Sequence, residues 1–227
     1  AGNFRPGKGG YFVYEADESD KSLLAFRPDY SLILNIGNDH YPVAELAEVF
    51  KAFISSTTKG YLTDESVKYS LSGFHNEKIP RIAFAEGEPC DWRLLSYEIK
   101  DDSPFAEVAR GATGERIRLR LPSPGLHNAM NAVSILAALD MLGLYVKNAE
   151  KHVSEFQGVW RRFNMKGKLP SGALVIDDYA HNPEKIVSCI KTAKEITKGR
   201  IFAIFQPHGY GPLKFMKDTL FEQVEKI

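Results

Sequence analysis

Tyr11-Phe12-Val13-Tyr14, running directly into Glu15-Ala16-Asp17-Glu18-Ser19-Asp20, reads as an apolar strand that ends in a knot of acid. A second apolar run, Tyr30-Ser31-Leu32-Ile33-Leu34-Asn35, leads into Asn38-Asp39-His40 shortly afterwards. Parallel neighbours in an α/β sheet bring both carboxyl ends to one edge, where such sheets keep their ligands. Glu15 and His40 would then face each other across a polar crevice. A carboxylate oxygen and an imidazole nitrogen, with water and substrate oxygens filling the rest, suit a divalent cation that must stay reachable. The same spacing also suits a solvated βα loop with His40 as a loop-end polar residue.

Working outward, Val43, Leu46, Val49, Phe50, Phe53 and Ile54 recur at helical intervals and predict a helix over residues 43–56. Residues 22–26 suit a short helical turn that Pro28 stops. Tyr61-Leu62 and Ile82-Ala83-Phe84 read as short buried strands. Residues 93–100, 105–110 and 115–121 alternate polar with apolar between turn-forming stretches, the pattern of an antiparallel meander appended to the α/β core. Leu121-Pro122-Ser123-Pro124-Gly125 closes it, and an Ala-, Ile- and Leu-rich helix runs on to Leu142-Gly143. His127 and Asn131, four apart, project from one face of its first turn. Imidazole and carboxamide there can bond a heterocycle such as adenine; equally, His127 or Asn128 can cap the helix while Asn131 packs.

Glu155-Phe156-Gln157-Gly158-Val159 is a plausible hinge, placing domains at residues 1–157 and 158–227. Beyond it, Trp160-Arg161-Arg162-Phe163 opens a strand, and Ala173-Leu174-Val175-Ile176 is a buried strand ending in Asp177-Asp178-Tyr179-Ala180-His181-Asn182-Pro183. Pro183 suits the first position of a helix over residues 183–197. Ile201-Phe202-Ala203-Ile204-Phe205 reads as a further buried strand before Gln206-Pro207-His208, and a last amphipathic helix carries Leu213, Phe215, Met216, Leu220, Phe221 and Val224. Strand, helix, strand, helix implies a parallel sheet with right-handed crossovers, left exposed where the sequence stops.

Composition sets the outer bounds. At 227 residues, two modest domains are the better prior. Lys plus Arg equals Asp plus Glu at 29 each, so no global field draws nucleic acid or an anionic membrane. The start is not a signal peptide, no apolar run reaches membrane-span length, and Cys90 and Cys189 share no metal spacing. A reducing cytoplasm is the default expectation, with a disulfide left open.

EADESD at 15–20, NDH at 38–40, GLHNAMNA at 125–132, GVWRRF at 158–163, DDYAHNP at 177–183 and FQPHGY at 205–210 follow one another in that order. Together they resemble the Mur ligase superfamily, most closely its alanine-adding branch. The resemblance implies a central ATPase-type domain, mostly parallel sheet with helices and a small antiparallel meander, followed by part of a Rossmann-like domain. It implies ATP and Mg²⁺, with UDP-N-acetylmuramate and L-alanine as substrates. The carboxylate is activated as an acyl phosphate and then attacked by the amine.

Residue by residue, Glu15 and His40 match the positions that hold Mg²⁺, and His127, Asn128 and Asn131 those around adenine. Arg162 matches an arginine reaching the nucleotide phosphates, which would make it catalytic alongside Glu15 and His40. Asp178 matches a position near the ribose, and Tyr179, His181 and His208 the wall where muramoyl group and amino acid meet. No Gly-x-x-x-x-Gly-Lys-Ser/Thr run occurs, so the backbone cradle for ATP phosphates is missing and the chain alone is expected to be inactive. Three departures stand out. Asn182 replaces a second imidazole. Gly209 and Pro212 stand where arginines are usual, with Lys214 the nearest cation. Tyr41-Pro42 replaces the usual acid. These leave room for a sister ligase with another amino acid or peptide, or for a non-catalytic nucleotide-binding module.

Overall fold

Side chains alternate between the faces of a strand, and in this chain that alternation builds one sheet with a long helix on either side. The structure, a computed structural model, describes residues 5–37, 41–144, 149–207 and 220–225. Strands β1 (Tyr30–Ile33), β2 (Gly60–Asp64), β3 (Arg81–Glu86), β4 (Trp92–Lys100), β5 (Ser103–Arg110) and β6 (Arg116–Arg120) lie side by side in that order. Pairing is parallel from β1 to β4 and antiparallel from β4 to β6, so the α/β core and the appended meander are one continuous sheet.

Tyr61 and Ile33 pack under α1 (Val43–Ser56) with Ala47 and Ile54, while Leu62 and Phe84 turn to the other face under α3 (Leu126–Met141). From α3 come Ala129, Ala132, Val133, Leu136 and Ala137, at the spacing of one helical face and at most 3% exposed. The short helices α2 (Val67–Ser70) and α4 (Ala149–Glu155) follow β2 and α3, and a 3₁₀ turn covers Ser22–Ala25.

Parallel neighbours usually need a crossover of about a dozen residues. Between β3 and β4 residues 87–91 are enough, because only Phe84, Ala85 and Glu86 pair, with Trp92, Arg93 and Leu94. Gly87 takes the turn at φ 73°, and Asp91 Oδ2 accepts the Ala83 N–H at 2.8 Å. At the far end of α3, Asp140 accepts from Trp92 Nε1 at 2.9 Å and from Arg110 Nε and Nη2 at 3.1 and 2.5 Å. One carboxylate thereby fastens the last turn of α3 to two strands.

The remaining strands, β7 (Asn164–Lys168) and β8 (Leu174–Asp177), form a separate antiparallel pair that leads into α5 (Pro183–Ile196); α6 (Leu220–Glu225) is the described part of the expected last helix. Cys90 and Cys189 are free, and burial pushes each thiol up to about 11.

Three expectations are corrected. Residues 11–14 form no strand: Tyr11, Phe12 and Val13 are exposed, and the segment is held by aromatic contacts of Tyr14 with Phe12 and Phe26 rather than by ladder bonds. Residues 201–205 form none either, with Phe202 77% and Ile204 97% exposed; among the described residues β8 pairs with β7 alone. No parallel sheet therefore forms in this half among the described residues. Residues 160–163 make a turn before β7 rather than its beginning, with Arg161 and Phe163 at φ 57° and 46°.

Asp140→Ala removes the charged acceptor shared by the Arg110 guanidinium and the Trp92 N–H in a mostly covered site. It should lower the unfolding free energy by about 2 kcal/mol, read from urea denaturation followed by tryptophan fluorescence.

Candidate active site

At the start of α3 the backbone is shaped to seat an imidazole. Gly125 sits at φ 110°, a conformation side chains rarely adopt; a Cβ there would lie 2.6 Å from His127 Cε1 and 2.8 Å from Thr192 Oγ1. Asn128 Nδ2 donates to the Pro124 carbonyl at 2.7 Å, locking the turn that precedes the helix. His127 lies against α5, with Nδ1 3.4 Å from Ser188 Oγ. Partial burial holds its pKa below the ordinary value; Arg162 acts in the same direction, and Asp178 and Glu195 oppose it. The ring is therefore neutral at pH 7, as a hydrogen-bonding partner for a heterocycle should be. Asn131 is exposed one turn further along.

Opposite this seat lies the loop 159–163. Two left-handed residues that are not glycine cost free energy and persist only where the surroundings hold them. Asp178 supplies the hold, with Oδ2 accepting the Phe163 N–H at 2.6 Å and Oδ1 the Ala180 N–H at 2.7 Å. The Tyr179 N–H bonds the Arg161 carbonyl at 2.8 Å. These bonds separate the two arginines. Arg161 is occupied, its Nε 3.5 Å from Asp177 and its guanidinium 5.7 and 5.0 Å from the Trp160 and Tyr179 rings. Arg162 is exposed, with no ion pair among the described residues, and close enough to His127 to influence its proton. His127, Arg162 and Asp178 thus come together although they lie on separate elements.

Tyr179 and His181 meet edge to face, 5.2 Å between centroids, with His181 Nδ1 3.0 Å from the Tyr179 carbonyl and Nε2 3.4 Å from Lys185 Nζ. Asn182 caps α5, its side-chain oxygen accepting the Lys185 N–H at 2.9 Å ahead of Pro183. A good N-cap therefore stands where the resemblance expects a second imidazole.

Glu15 is exposed. The neighbouring acids fold their own loop, Asp17 Oδ1 and Asp20 Oδ1 each accepting a serine N–H at 2.8 Å. Tyr41 Oη donates to the Ser19 carbonyl at 3.0 Å, tying this loop to the approach to α1. His40 and His208, with Asn38, Asp39, Gly209, Pro212 and Lys214, lie outside the described residues. Among the described residues no group of three metal-ligating side chains forms.

Sequence reasoning missed Tyr97 and α5's inward residues. Tyr97 Oη accepts the Gly125 N–H at 2.6 Å and donates to Glu195 Oε2 at 2.5 Å. Only the regular recurrence of Glu184, Ser188, Thr192 and Glu195 along α5 could have drawn notice to that face.

Residues 161–225 match the family model described as the Mur ligase glutamate ligase domain. Along its whole length the chain is 32% identical to UDP-N-acetylmuramate–L-alanine ligase of Caldanaerobacter subterraneus subsp. tengcongensis, covering 51% of that protein. The crystal structure of UDP-N-acetylmuramate-alanine ligase from Thermotoga maritima matches with a TM-score of 0.71 at 25% identity, over 92% of this chain and 52% of that one. A MurF ligase from Thermotoga maritima in complex with ADP shares the fold, at TM-score 0.61 and 18% identity over 77% of this chain and 41% of that one. Residues 161–225 thus carry the Mur ligase glutamate ligase domain, and the chain along its whole length is similar to Mur ligases. It spans about half the length of the curated relatives it matches.

Asp178→Ala should release the loop 159–163 and lower stability by about 2 kcal/mol, with faster amide exchange at Phe163 and Ala180. A second expectation concerns acid. The unfolded His127 takes up its proton near pH 6.5 and the folded one only below that, so native stability falls as pH drops through the ordinary value. In His127→Gln the loss of stability between pH 7 and pH 5 should be smaller, measured by denaturant midpoints at the two pH values.

Proposed function

We propose that these residues form part of an ATP-dependent ligase that joins L-alanine to the carboxylate of UDP-N-acetylmuramate. The observation that carries this reading is that His127, held against α5, lies within charge range of an exposed Arg162 and of the loop-holding Asp178. Support also comes from the names of the relatives, which the chain matches along its whole length. Residues 1–157 are then the central domain and residues 158–227 the start of the C-terminal Rossmann-like domain. The protein works in the cytoplasm; among the described residues no helix is long and apolar enough to cross a membrane.

In the reaction the substrate carboxylate takes the γ-phosphoryl group of ATP, and the amine of alanine then displaces phosphate to give the amide. Positioning and charge cancellation supply most of the catalysis in such a transfer. His127 and Asn131 hold the purine from the first turn of α3, while Asn128 keeps that turn in shape through Pro124. Arg162 brings a planar, permanently charged fork toward the phosphates. Asp178 fixes the loop that carries Arg162 and retains lone pairs for a ribose hydroxyl. Tyr179 and His181, with His208, line the wall for the muramoyl and amino-acid groups. Mg²⁺, held by Glu15 and His40 in this reading, would screen the γ-phosphate from the carboxylate.

The test is phosphate release from ATP with UDP-N-acetylmuramate and L-alanine. The 227-residue chain alone should show none, since it carries no phosphate-binding Gly-Lys loop; turnover by it contradicts that part of the reading. The full-length protein carrying these residues should release phosphate when L-alanine is added, and Glu15→Ala or His40→Ala should cut the rate at least a hundredfold, roughly 2.7 kcal/mol of barrier. Near-normal rates in both variants remove the metal assignment. Release driven by another amino acid points to a sister Mur-type ligase. ATP binding with no release under any amino acid points to a non-catalytic nucleotide-binding module.

A further inference from the structure

Helix α5 meets the first sheet's elements along a single line of side chains. Glu184, Ser188, Thr192 and Glu195, spaced four, four and three apart, fall on one helical face. A Cβ on Gly37, in the loop after β1, would lie 3.3 Å from Glu184 Oε2. Ser188 Oγ is 3.4 Å from His127 Nδ1. Thr192 Oγ1 stands where a Gly125 Cβ would meet it at 2.8 Å. Glu195 Oε2 accepts a hydrogen bond from the Tyr97 hydroxyl at 2.5 Å. The whole line is polar. An apolar stripe would fuse the two parts permanently, whereas a polar seam resembles contacts that open and close.

Within this seam the Tyr97 hydroxyl has the best-formed bonds. It accepts from the Gly125 N–H, the residue that seats His127, and donates to a carboxylate on the helix that follows Asp178. Hydrogen bonds to an ionised acceptor are the stronger class. Burial, and then the bond to Glu195, push the phenol's pKa well above its ordinary value, so it stays a donor throughout the physiological range. A single hydroxyl thus links the purine-side helix to the element bearing the opposite wall.

We propose that Tyr97 and Glu195 are positioning residues forming a latch that holds α5 closed against the His127 seat, so that Arg162 and Asp178 stay facing a bound nucleotide. This rests on the nucleotide reading of the crevice. Neither residue touches the ligand; both act through the distance between α3 and the loop 159–163. Removing the carboxylate should therefore open the latch. Tyr97→Phe, which also takes away the acceptor of the Gly125 N–H, should do at least as much, and once the hydroxyl is gone removing Glu195 should add nothing.

The experiment is a double-mutant cycle of Tyr97→Phe and Glu195→Ala in the full-length protein, with Glu195→Gln as the conservative variant and Glu98→Gln as a control. Glu98 lies next to Tyr97 on β4 but pairs with Arg118 in the meander, away from α5. Each single variant should weaken ATP affinity about tenfold, the scale of one charge-assisted hydrogen bond. The double variant should weaken it no further, Glu195→Gln should recover part of the loss, and Glu98→Gln should match the parent. Amide exchange provides a readout that needs no nucleotide. Without ligand, residues 183–196 should exchange faster in both single variants, and Gly125 should exchange faster in Glu195→Ala, where its N–H keeps the Tyr97 acceptor, while β4 to β6 stay protected. Unchanged exchange at Gly125 and α5 in Glu195→Ala overturns the latch whether or not the protein binds ATP, as do additive losses in the double variant. If exchange changes as expected but ATP does not bind even to the parent protein, the latch stands and the nucleotide reading fails.

Discussion

The carboxylate of Asp178 is the constraint on which the candidate site depends. Its two oxygens accept backbone N–H groups from two separate stretches of chain, at Phe163 and Ala180. One bond holds a loop with two non-glycine residues in left-handed conformations; the other fixes the run that carries Tyr179 and His181 toward α5. Without the acid, nothing in the residue types of Val159-Trp160-Arg161-Arg162-Phe163 favours that turn. With it, Arg161 is stacked away between aromatic rings and Arg162 is left to meet a ligand. Which arginine serves which purpose is thus decided by a residue fifteen or more positions later in the chain.

The sheet supplies the other half of the frame. Its parallel strands carry α1 and α3 on opposite faces, and the Asp140 contacts fasten the end of α3 to the meander. His127 stands at the other end of that helix, where Tyr97 on β4 accepts the Gly125 N–H and Asn128 holds the preceding turn. The seat in turn meets α5 through polar side chains, Ser188 beside His127 and Thr192 beside Gly125.

How far the sequence disclosed this depended on the range of each interaction. The helix over residues 43–56 and the antiparallel run of β4, β5 and β6 were legible because their periodicity is itself the packing constraint, repeated every few residues. The continuous apolar run at 11–14, like that at 201–205, misled for a related reason. It records that a face is apolar, not which strand pairs with it, and both segments stand without a partner strand among the described residues. The turn at 160–163 was hidden because positive φ at Arg161 and Phe163 comes from a distant carboxylate and not from glycine. Tyr97 and Glu195 are 98 residues apart, and no local pattern encodes such a pair. Among the site residues, His127 and Asn131 were singled out by helix spacing, whereas Asn128 makes no cap bond to the helix and instead donates to the Pro124 carbonyl. Asp178 and Arg162 owed their selection to the order of motifs.

The two thiols have a practical bearing on watching this molecule move. With both pushed up to about 11, Cys90 and Cys189 are almost wholly protonated at neutral pH, and only the thiolate reacts with maleimides or iodoacetamides. A surface cysteine introduced on α5 and another on the meander could then be tagged with a dye pair while the native sulfurs stay silent. The ordinary burial of two unremarkable side chains makes the protein suited to distance measurement by fluorescence without first removing its own cysteines.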